Sequence, residues 1–274
     1  MASFVYQDRE FTKQEFPHTT NTQEVGTALV SLGNSWQVLT SEGPIALFKG
    51  EILAPTANLS QLCYDHSASF ETVMAKLRED LRRMGVTNFQ LSVFPDEADS
   101  FLSKGFEKRE VLVRLSRSPT ETKMMPILPL MNPTQKEIPT LSNLMHEAYA
   151  KTRGAYSDAE ATQTVIRSIV SGVDYLPNAS FASGAFPNLV SACLVTSVSP
   201  SEATVSQLFT HPLYRARGLA TTEIASAMNI LVKESKGLAR LTVWSPETNE
   251  VMKRLLIKLG FAQDRRLVEM TSRT

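Results

Sequence analysis

One segment of the chain joins a strand pattern to a helix pattern through a turn that is rich in arginine and small residues. The turn reads Arg-Ala-Arg-Gly-Leu-Ala over 215–220. Gly218 and Ala220 keep bulky side chains away, so the unpaired N–H groups at the start of the helix face outward, with the positive end of the helix dipole behind them. The two arginines add positive charge at the same place. The turn therefore predicts a binding site for a phosphate or a diphosphate.

Two common phosphate-binding motifs are missing from this segment. It contains neither Gly-x-x-x-x-Gly-Lys-Ser/Thr nor Gly-x-Gly-x-x-Gly, which argues against a P-loop and against a Rossmann dinucleotide site. A nucleotide-phosphate binder has weak support, because no Mg²⁺-binding Ser/Thr with an acidic partner stands near the turn.

The segment resembles instead the cofactor-binding region of the GNAT superfamily of acyl-CoA N-acyltransferases. In that family, a strand ending in apolar-x-apolar-x-Pro precedes the loop Arg/Gln-x-x-Gly-x-Gly/Ala, and an Asn and a Gly-Phe pair follow downstream. The matching residues here are Leu208-Phe-Thr-His-Pro212, the turn over 215–220, Asn249 and Gly260-Phe261. Thr210 departs from the pattern by standing at an apolar position. The resemblance covers residues ~126–274.

The resemblance implies acetyl-CoA as cosubstrate and no metal. The strand end would pair with the pantetheine arm, the turn would hold the diphosphate, and Asn249 would hydrogen-bond the arm. Asn249 has an alternative role as the cap of its own helix, which Ser245-Pro246 also has the residue types to cap. The implied cofactor-binding residues are Leu208, Phe209, Thr210, Arg215, Ala216, Arg217, Gly218, Leu219, Ala220, Thr221 and Asn249.

The implied reaction is direct attack of a primary amine, from a small molecule or a peptide, on the acetyl thioester. Two catalytic positions of the family do not match: the Tyr position is Leu256 and the strand Glu position is Thr204. Glu202 is the candidate general base, because it lies on the same strand face as Thr204. The other candidates for the general base are Gln207, acting through water, Glu147, Tyr149 and the C-terminus. A non-catalytic acyl-CoA-binding or regulatory protein on the same fold is the alternative function.

For the other residues that could take part in chemistry, a structural role is a better explanation than a functional site. Cys193 lies in an apolar strand pattern, which indicates a core residue. Cys63 and His66 offer too few ligands for a closed metal site. His211 is expected to be an exposed loop histidine.

The chain divides into two halves that share an order of elements. Residues 116–125 are polar and precede a proline-rich stretch, so we predict a linker there between domains 1–117 and 118–274. A helix, Gly, strand, helix, Gly-Phe, strand order occurs over 76–113 and again over 224–268. We therefore expect an α/β (α+β) fold of two GNAT-like domains, each a mixed, mostly antiparallel sheet flanked by helices. The first lacks the phosphate-binding turn, since its helix entry reads Tyr64-Asp-His-Ser-Ala-Ser-Phe70.

Composition narrows the partners and the compartment. The 274 residues carry 28 basic and 28 acidic side chains, and this balance argues against nucleic acid as a partner. No apolar run is long enough for a transmembrane helix, and no secretory leader is visible. Two cysteines do not make a disulfide framework. We expect a cytoplasmic protein that does not bind membranes; its oligomeric state, homodimer included, is open.

Overall fold

A computed structural model of the chain describes its backbone except at residues 1–2, 7–8, 13–28, 33–34, 41–42, 54, 65–69, 151–158 and 235–237. Among the described residues, side chains are described from 55–59 and from 71 onwards. The chain forms two compact units. The first comprises Met1–Leu112 with Arg266–Thr274, and the second comprises Val113–Arg265.

The first unit is a mostly antiparallel sheet with helices. Strands β3 to β6 pair antiparallel in chain order, and β6 pairs parallel with β7. The pair β1–β2 forms a separate ribbon. The elements are β1 (Ser3–Tyr6), β2 (Arg9–Thr12), β3 (Leu29–Leu32), β4 (Ser35–Thr40), β5 (Gly43–Leu53), β6 (Thr56–Tyr64), α1 (Phe70–Arg83), β7 (Asn88–Val93), α2 (Ala98–Ser103) and β8 (Glu107–Arg117).

The second unit has a sheet covered by helices on both faces. Strands β9 to β12 are antiparallel neighbours, and β12 pairs parallel with β13. Alternate residues of β11 and β12 pack either with α5 and α6 or with α3 and α4. The elements are β9 (Leu130–Met131), α3 (Ile138–Tyr149), α4 (Ala159–Val170), β10 (Phe181–Ala185), β11 (Asn188–Ser199), β12 (Glu202–Thr210), α5 (Leu219–Glu234), β13 (Arg240–Pro246), α6 (Glu250–Lys258) and β14 (Ala262–Arg273).

The two units exchange strand ends, which changes the predicted domain division. The end of β14 pairs antiparallel with β7, and its Val268 and Met270 are buried in the core of the first unit. The end of β8 places Val113 and Leu115 in the core of the second unit. The divisions therefore fall after Leu112 and after Arg265 instead of after residue 117, because strand pairing and not the polar linker decides where each segment packs.

A helix ending is repeated in both units, at Gly105-Phe106 and at Gly260-Phe261. The glycines adopt φ values of +80° and +79°. Each following phenylalanine donates its N–H to a carbonyl five residues earlier, that of Phe101 at 3.2 Å or Leu256 at 3.0 Å. Both phenylalanine side chains are buried. This shared C-terminal motif supports the duplication that the sequence order indicates.

Most predicted elements of the second half are present within a few residues of their expected bounds. The strands β1, β2, β3, β6 and β9 are additions. The β6 segment mixes Asn, Ser and Gln with apolar residues, so its strand character follows from pairing on both sides with β5 and β7. The predicted caps at Ser157 or Asp158, the helix end at Gly237 and the helix entry after Tyr64 lie outside the described residues.

Candidate active site

The sheet of the second unit opens between β12 and β13. These parallel strands pair only over 202–205 and 240–243, although both are described in full and β12 continues to Thr210. The second half of β12 thus has one edge that is not paired with β13. Such an edge can hydrogen-bond an extended ligand in the way that it would bond another strand.

The ladder with β11 decides which groups of β12 face this edge. His211 donates its N–H to Val190 O at 2.9 Å, and the register then pairs Thr210 with Ser191 and Phe209 with Ala192. Because successive antiparallel residues point their backbone groups to opposite sides, Leu208 and Thr210 present theirs to the open edge. Phe209 turns its backbone towards β11. Of the three residues predicted to pair with the pantetheine arm, Leu208 and Thr210 therefore have backbone groups at the open edge, and Phe209 does not.

The strand end runs directly into the predicted phosphate-binding turn. A single 3₁₀ turn over Pro212–Tyr214 is followed by Ala216 at φ +59° and Gly218 at φ +81°. Thr222 N donates to Gly218 O at 3.0 Å, so α5 begins at the glycine and the N–H groups of Leu219, Ala220 and Thr221 precede the intrahelical bonds. Left-handed Ala216 costs about 1 kcal/mol, and such strain concentrates at functional turns.

Gly218 is constrained by a neighbour as well as by its backbone. A Cβ at this position would lie 3.0 Å from Ile127 Cδ1. The segment that carries Ile127 is anchored on α5, because Asn229 accepts the N–H of Thr122 at 2.7 Å and donates to its carbonyl at 3.0 Å. A side chain at position 218 would therefore require a left-handed backbone and a shift of the Ile127 side chain.

The two arginines of the turn have different surroundings. Arg215 donates to Thr210 O at 3.3 Å and to Ala148 O, at the end of α3, at 2.5 Å. Arg217 is exposed and lies over the Tyr214 ring, 5.1 Å from its centre. Arg217 is thus positioned for an anion at the surface, while Arg215 ties the turn to the open edge and to α3.

Asn249 caps α6. Its Oδ1 accepts the N–H of Met252 at 3.1 Å, and α6 begins at Glu250, whereas Pro246 belongs to β13. The alternative of a cap at Ser245-Pro246 is therefore wrong. A role for Asn249 in holding the cofactor arm stays a prediction.

The structure does not bring Glu202 to the open edge. Glu202 lies at the other end of β12, eight residues before Thr210, or about 26 Å along an extended strand. It accepts hydrogen bonds from the Arg114 guanidinium and from Thr242 Oγ1, at 3.4 and 3.3 Å. Thr204 bonds Thr242 O at 3.2 Å, and Leu256 is a fully buried core residue. The unmatched positions are therefore occupied by packing and strand-pairing residues.

Among the alternative candidates for the general base, Tyr149 contacts the open edge of β12. It ends α3, and its hydroxyl donates to Leu208 O at 3.3 Å. The carboxylate of Glu147, two residues earlier in sequence, lies 3.2 Å from His211 Nε2, and His211 is only a quarter exposed. Gln207 is half-buried on β12. The C-terminal Thr274 bonds Thr87 O and Val86 O in the first unit.

Glu223 is a titratable residue of this region that the sequence did not indicate. It lies one turn into α5 and is completely buried. Burial raises the pKa of Glu223 to about 8, against the lowering effect of hydrogen bonds from Ser183 and Ser191. The available signal was the one acidic residue in an otherwise apolar and small-residue helix face, at 219–232. Cys193, as predicted, is buried.

In the described ranges, no group of three His, Cys, Asp or Glu residues is arranged to hold a metal ion. No described helix combines the length and the apolar composition that crossing a membrane requires.

Comparison with known proteins gives structural neighbours but no sequence relatives. No family model and no curated protein sequence matches the chain. The fold is similar to a GCN5-related N-acetyltransferase from Sphaerobacter thermophilus, with a TM-score of 0.64, 11% identity, and 89% of this chain and 82% of that one covered. An acetyltransferase of the GNAT family from Colwellia psychrerythraea gives a TM-score of 0.52 at 9% identity, with 86% and 84% covered.

One neighbour has the duplicated arrangement. It is a tandem GNAT protein from the clavulanic acid biosynthesis pathway, with a TM-score of 0.59, 17% identity, and 87% of this chain and 82% of that one covered. Neither unit of the present chain makes up 87% of its residues, so this similarity extends over both units. The chain therefore has the fold of the GNAT superfamily, in the tandem arrangement that its sequence predicts.

Proposed function

We propose that the chain is an N-acetyltransferase that transfers the acetyl group of acetyl-CoA to a primary amine of a small molecule or a peptide. The observation that carries the proposal is the continuity of two binding features: the open edge of β12 and the anion-binding start of α5 are separated by one short turn. A pantetheine arm and its diphosphate are likewise connected, so a single extended ligand satisfies both.

The proposed roles follow from this placement. Leu208 and Thr210 bond the arm, and the N–H groups from Gly218 to Thr221 hold the diphosphate with Arg217 beside them. A neutral amine attacks the thioester carbon, and the C–S bond breaks as the new C–N bond forms. The Thr210 N–H polarises the thioester oxygen, and Tyr149 gives its proton to the departing sulfur, which leaves as a thiol. The nitrogen then loses a proton, and solvent carries this proton back to the Tyr149 oxygen.

Direct attack, without an acetyl intermediate on the protein, is consistent with the protonation of Cys193, the cysteine whose side chain is described. Burial raises the pKa of the Cys193 thiol well above its ordinary value, so Cys193 offers no thiolate to carry an acetyl intermediate.

A non-catalytic acyl-CoA-binding protein is the second candidate. The specific observation in its favour is that the Glu202 carboxylate is held by Arg114 and Thr242, away from the open edge, while Leu256 is a buried core residue. Multiple-turnover acetylation of any member of a panel of small amines would eliminate this candidate.

Calorimetric titration with acetyl-CoA tests the proposed site. We expect binding near 1 µM, or about −8 kcal/mol, by the wild type, and loss of binding by Gly218→Glu, whose side chain brings bulk and negative charge into the turn. Gly105→Glu is the matched control, since Gly105 has almost the same φ, +80° against +81°, and no atoms within 4 Å of its Cβ position. Equal binding by all three proteins, or none by the wild type, contradicts the proposal.

A further inference from the structure

Glu223 connects α5 to two strands directly and to a third through a serine. Its Oε1 accepts a hydrogen bond from Ser183 Oγ of β10 at 2.6 Å, and its Oε2 accepts one from Ser191 Oγ of β11 at 2.9 Å. Ser191 Oγ also lies 2.9 Å from Thr210 Oγ1 at the end of β12. Glu223, Ser183 and Ser191 are all completely buried. The carboxyl group thus links α5 to β10 and β11 and, through Ser191, to the end of β12 that carries the open edge.

The complete burial of Glu223 favours a neutral carboxyl group, because a buried carboxylate is costly unless a cation pairs with it. Ser191 Oγ has a single proton, which it can donate to Glu223 Oε2 at 2.9 Å or to Phe209 O at 3.2 Å. If Glu223 is protonated, it can donate to Ser191 Oγ, which then donates to Phe209 O. The cluster therefore accommodates a protonated Glu223.

The described surroundings of Glu223 supply no positive charge that would stabilise its ionised form. From β10, β11 and β12 the polar groups that face it are the Ser183 hydroxyl and backbone N–H, the Ser191 hydroxyl, the Thr210 hydroxyl and the Cys193 thiol, whose pKa is raised by burial. On its own element, the nearest charged residues in sequence are Arg217, in the preceding turn, and Lys233. Within the described residues, no cation forms an ion pair with Glu223.

We propose that Glu223 is a positioning residue of the cofactor site, which ties the strand end carrying Thr210 to the start of α5 and which must be protonated when that helix start holds the diphosphate of acetyl-CoA. The proposal rests on the proposed function. Glu223 follows Leu219 by one helical turn, a rise of about 6 Å. A buried negative charge at this distance is poorly screened and would repel the diphosphate.

The consequence is a proton linked to binding. With the pKa of Glu223 at about 8, the free protein loses this proton above pH 8, and acetyl-CoA binding must restore it. If only the protonated form binds, the Kd rises about eightfold between pH 7.5 and 9.0. The raised pKa also acts on folding, because stability is fully present below the unfolded-state pKa of 4.5 and is lost as the pH rises through 8.

The test is calorimetric titration of acetyl-CoA at pH 7.5 and 9.0, in buffers of different ionisation enthalpy that count the protons exchanged. Acetyl-CoA is used because the free thiol of CoA would itself titrate in this range. The variants are Glu223→Gln, whose amide replaces the neutral carboxyl group, and the matched control Glu234→Gln at the exposed end of α5. We expect the eightfold weakening and uptake of about one proton at pH 9.0 for wild type and Glu234→Gln.

For Glu223→Gln we expect less than a twofold change in Kd, no linked proton, and no loss of unfolding temperature between pH 5 and 8. The same weakening in Glu223→Gln as in the wild type overturns the role of Glu223 and leaves the proposed function intact. Absence of acetyl-CoA binding by the wild type at both pH values overturns both. If Glu223→Gln does not fold, the proton count of the wild type decides, and a value of zero contradicts the proposal.

Discussion

At the scale of single residues, the open edge of β12 accepts hydrogen bonds from side chains that belong to different elements. Tyr149 of α3 donates to Leu208 O, and Arg215 of the turn donates to Thr210 O. Both accepting carbonyls are ones that the ladder with β11 directs towards the edge. These contacts bring together three stretches of chain, and Tyr149, the proposed proton donor, comes from a helix that lies about 60 residues before the strand that it contacts.

Tyr149→Phe tests the proposed proton donor. We expect kcat for acetyl transfer to an amine that supports turnover to fall about 10²-fold or more, with Kd for acetyl-CoA within about threefold of wild type. Steady-state kinetics by thiol release, together with calorimetry, measure the two quantities. Tyr175→Phe is the matched control: its hydroxyl also donates to a carbonyl, Pro133 O at 2.9 Å, and burial raises its pKa to about 12. Equal losses in both variants would assign the Tyr149 hydroxyl a structural role only.

At the scale of elements, left-handed residues end and begin the helices that frame each unit. Gly105 and Gly260 end α2 and α6 in the same way, and Gly218 begins α5. The first two differ in their surroundings, since a Cβ at Gly105 would meet nothing within 4 Å, whereas one at Gly260 would lie 3.2 Å from the Arg117 guanidinium. Arg117 itself donates to Leu259 O. The helix ending is therefore duplicated, while the guanidinium beside Gly260 has no counterpart beside Gly105.

This difference predicts unequal costs of the same substitution. Gly105→Ala should destabilise its unit by about 1 kcal/mol, from backbone strain alone. Gly260→Ala should cost about 1 kcal/mol more, because the guanidinium must shift and its hydrogen bond to Leu259 O is weakened. Urea unfolding of each variant and of the wild type measures both free energies. Gly172, at a helix end outside this motif, stays unchanged in both variants. Equal costs would show that Arg117 adjusts without loss.

At the scale of the whole molecule, neither half of the sequence contains a complete core. The first unit needs Val268 and Met270 from the end of the chain, and the second needs Val113 and Leu115 from the end of the first half. Arg114 is buried beside them and is held by Asp264 at 2.9 and 3.0 Å. The covalent order of the chain and the order of packing therefore differ at both strand ends.

The strand exchange predicts how fragments behave. A fragment of residues 1–117 should not fold, because it lacks two buried side chains worth about 2 kcal/mol each and leaves one edge of β7 unpaired. The same fragment followed by a flexible linker and residues 266–274 should fold. Amide dispersion in NMR spectra distinguishes the two outcomes, and a well-dispersed spectrum from 1–117 alone would contradict the exchange.

The sequence by itself determined the features that depend on neighbouring residues. The helical spacing of apolar residues predicted α3 and α5, Gly218 marked the turn, and Gly105 and Gly260 marked helix ends, because each reflects local backbone geometry. The tertiary structure alone decided the open edge of β12, the exchange of β8 and β14, the proximity of Tyr149 to Leu208 and the burial of Glu223. These depend on pairing and packing between residues tens to more than a hundred positions apart, and no local pattern records which strand a segment will join or which helix face will be covered.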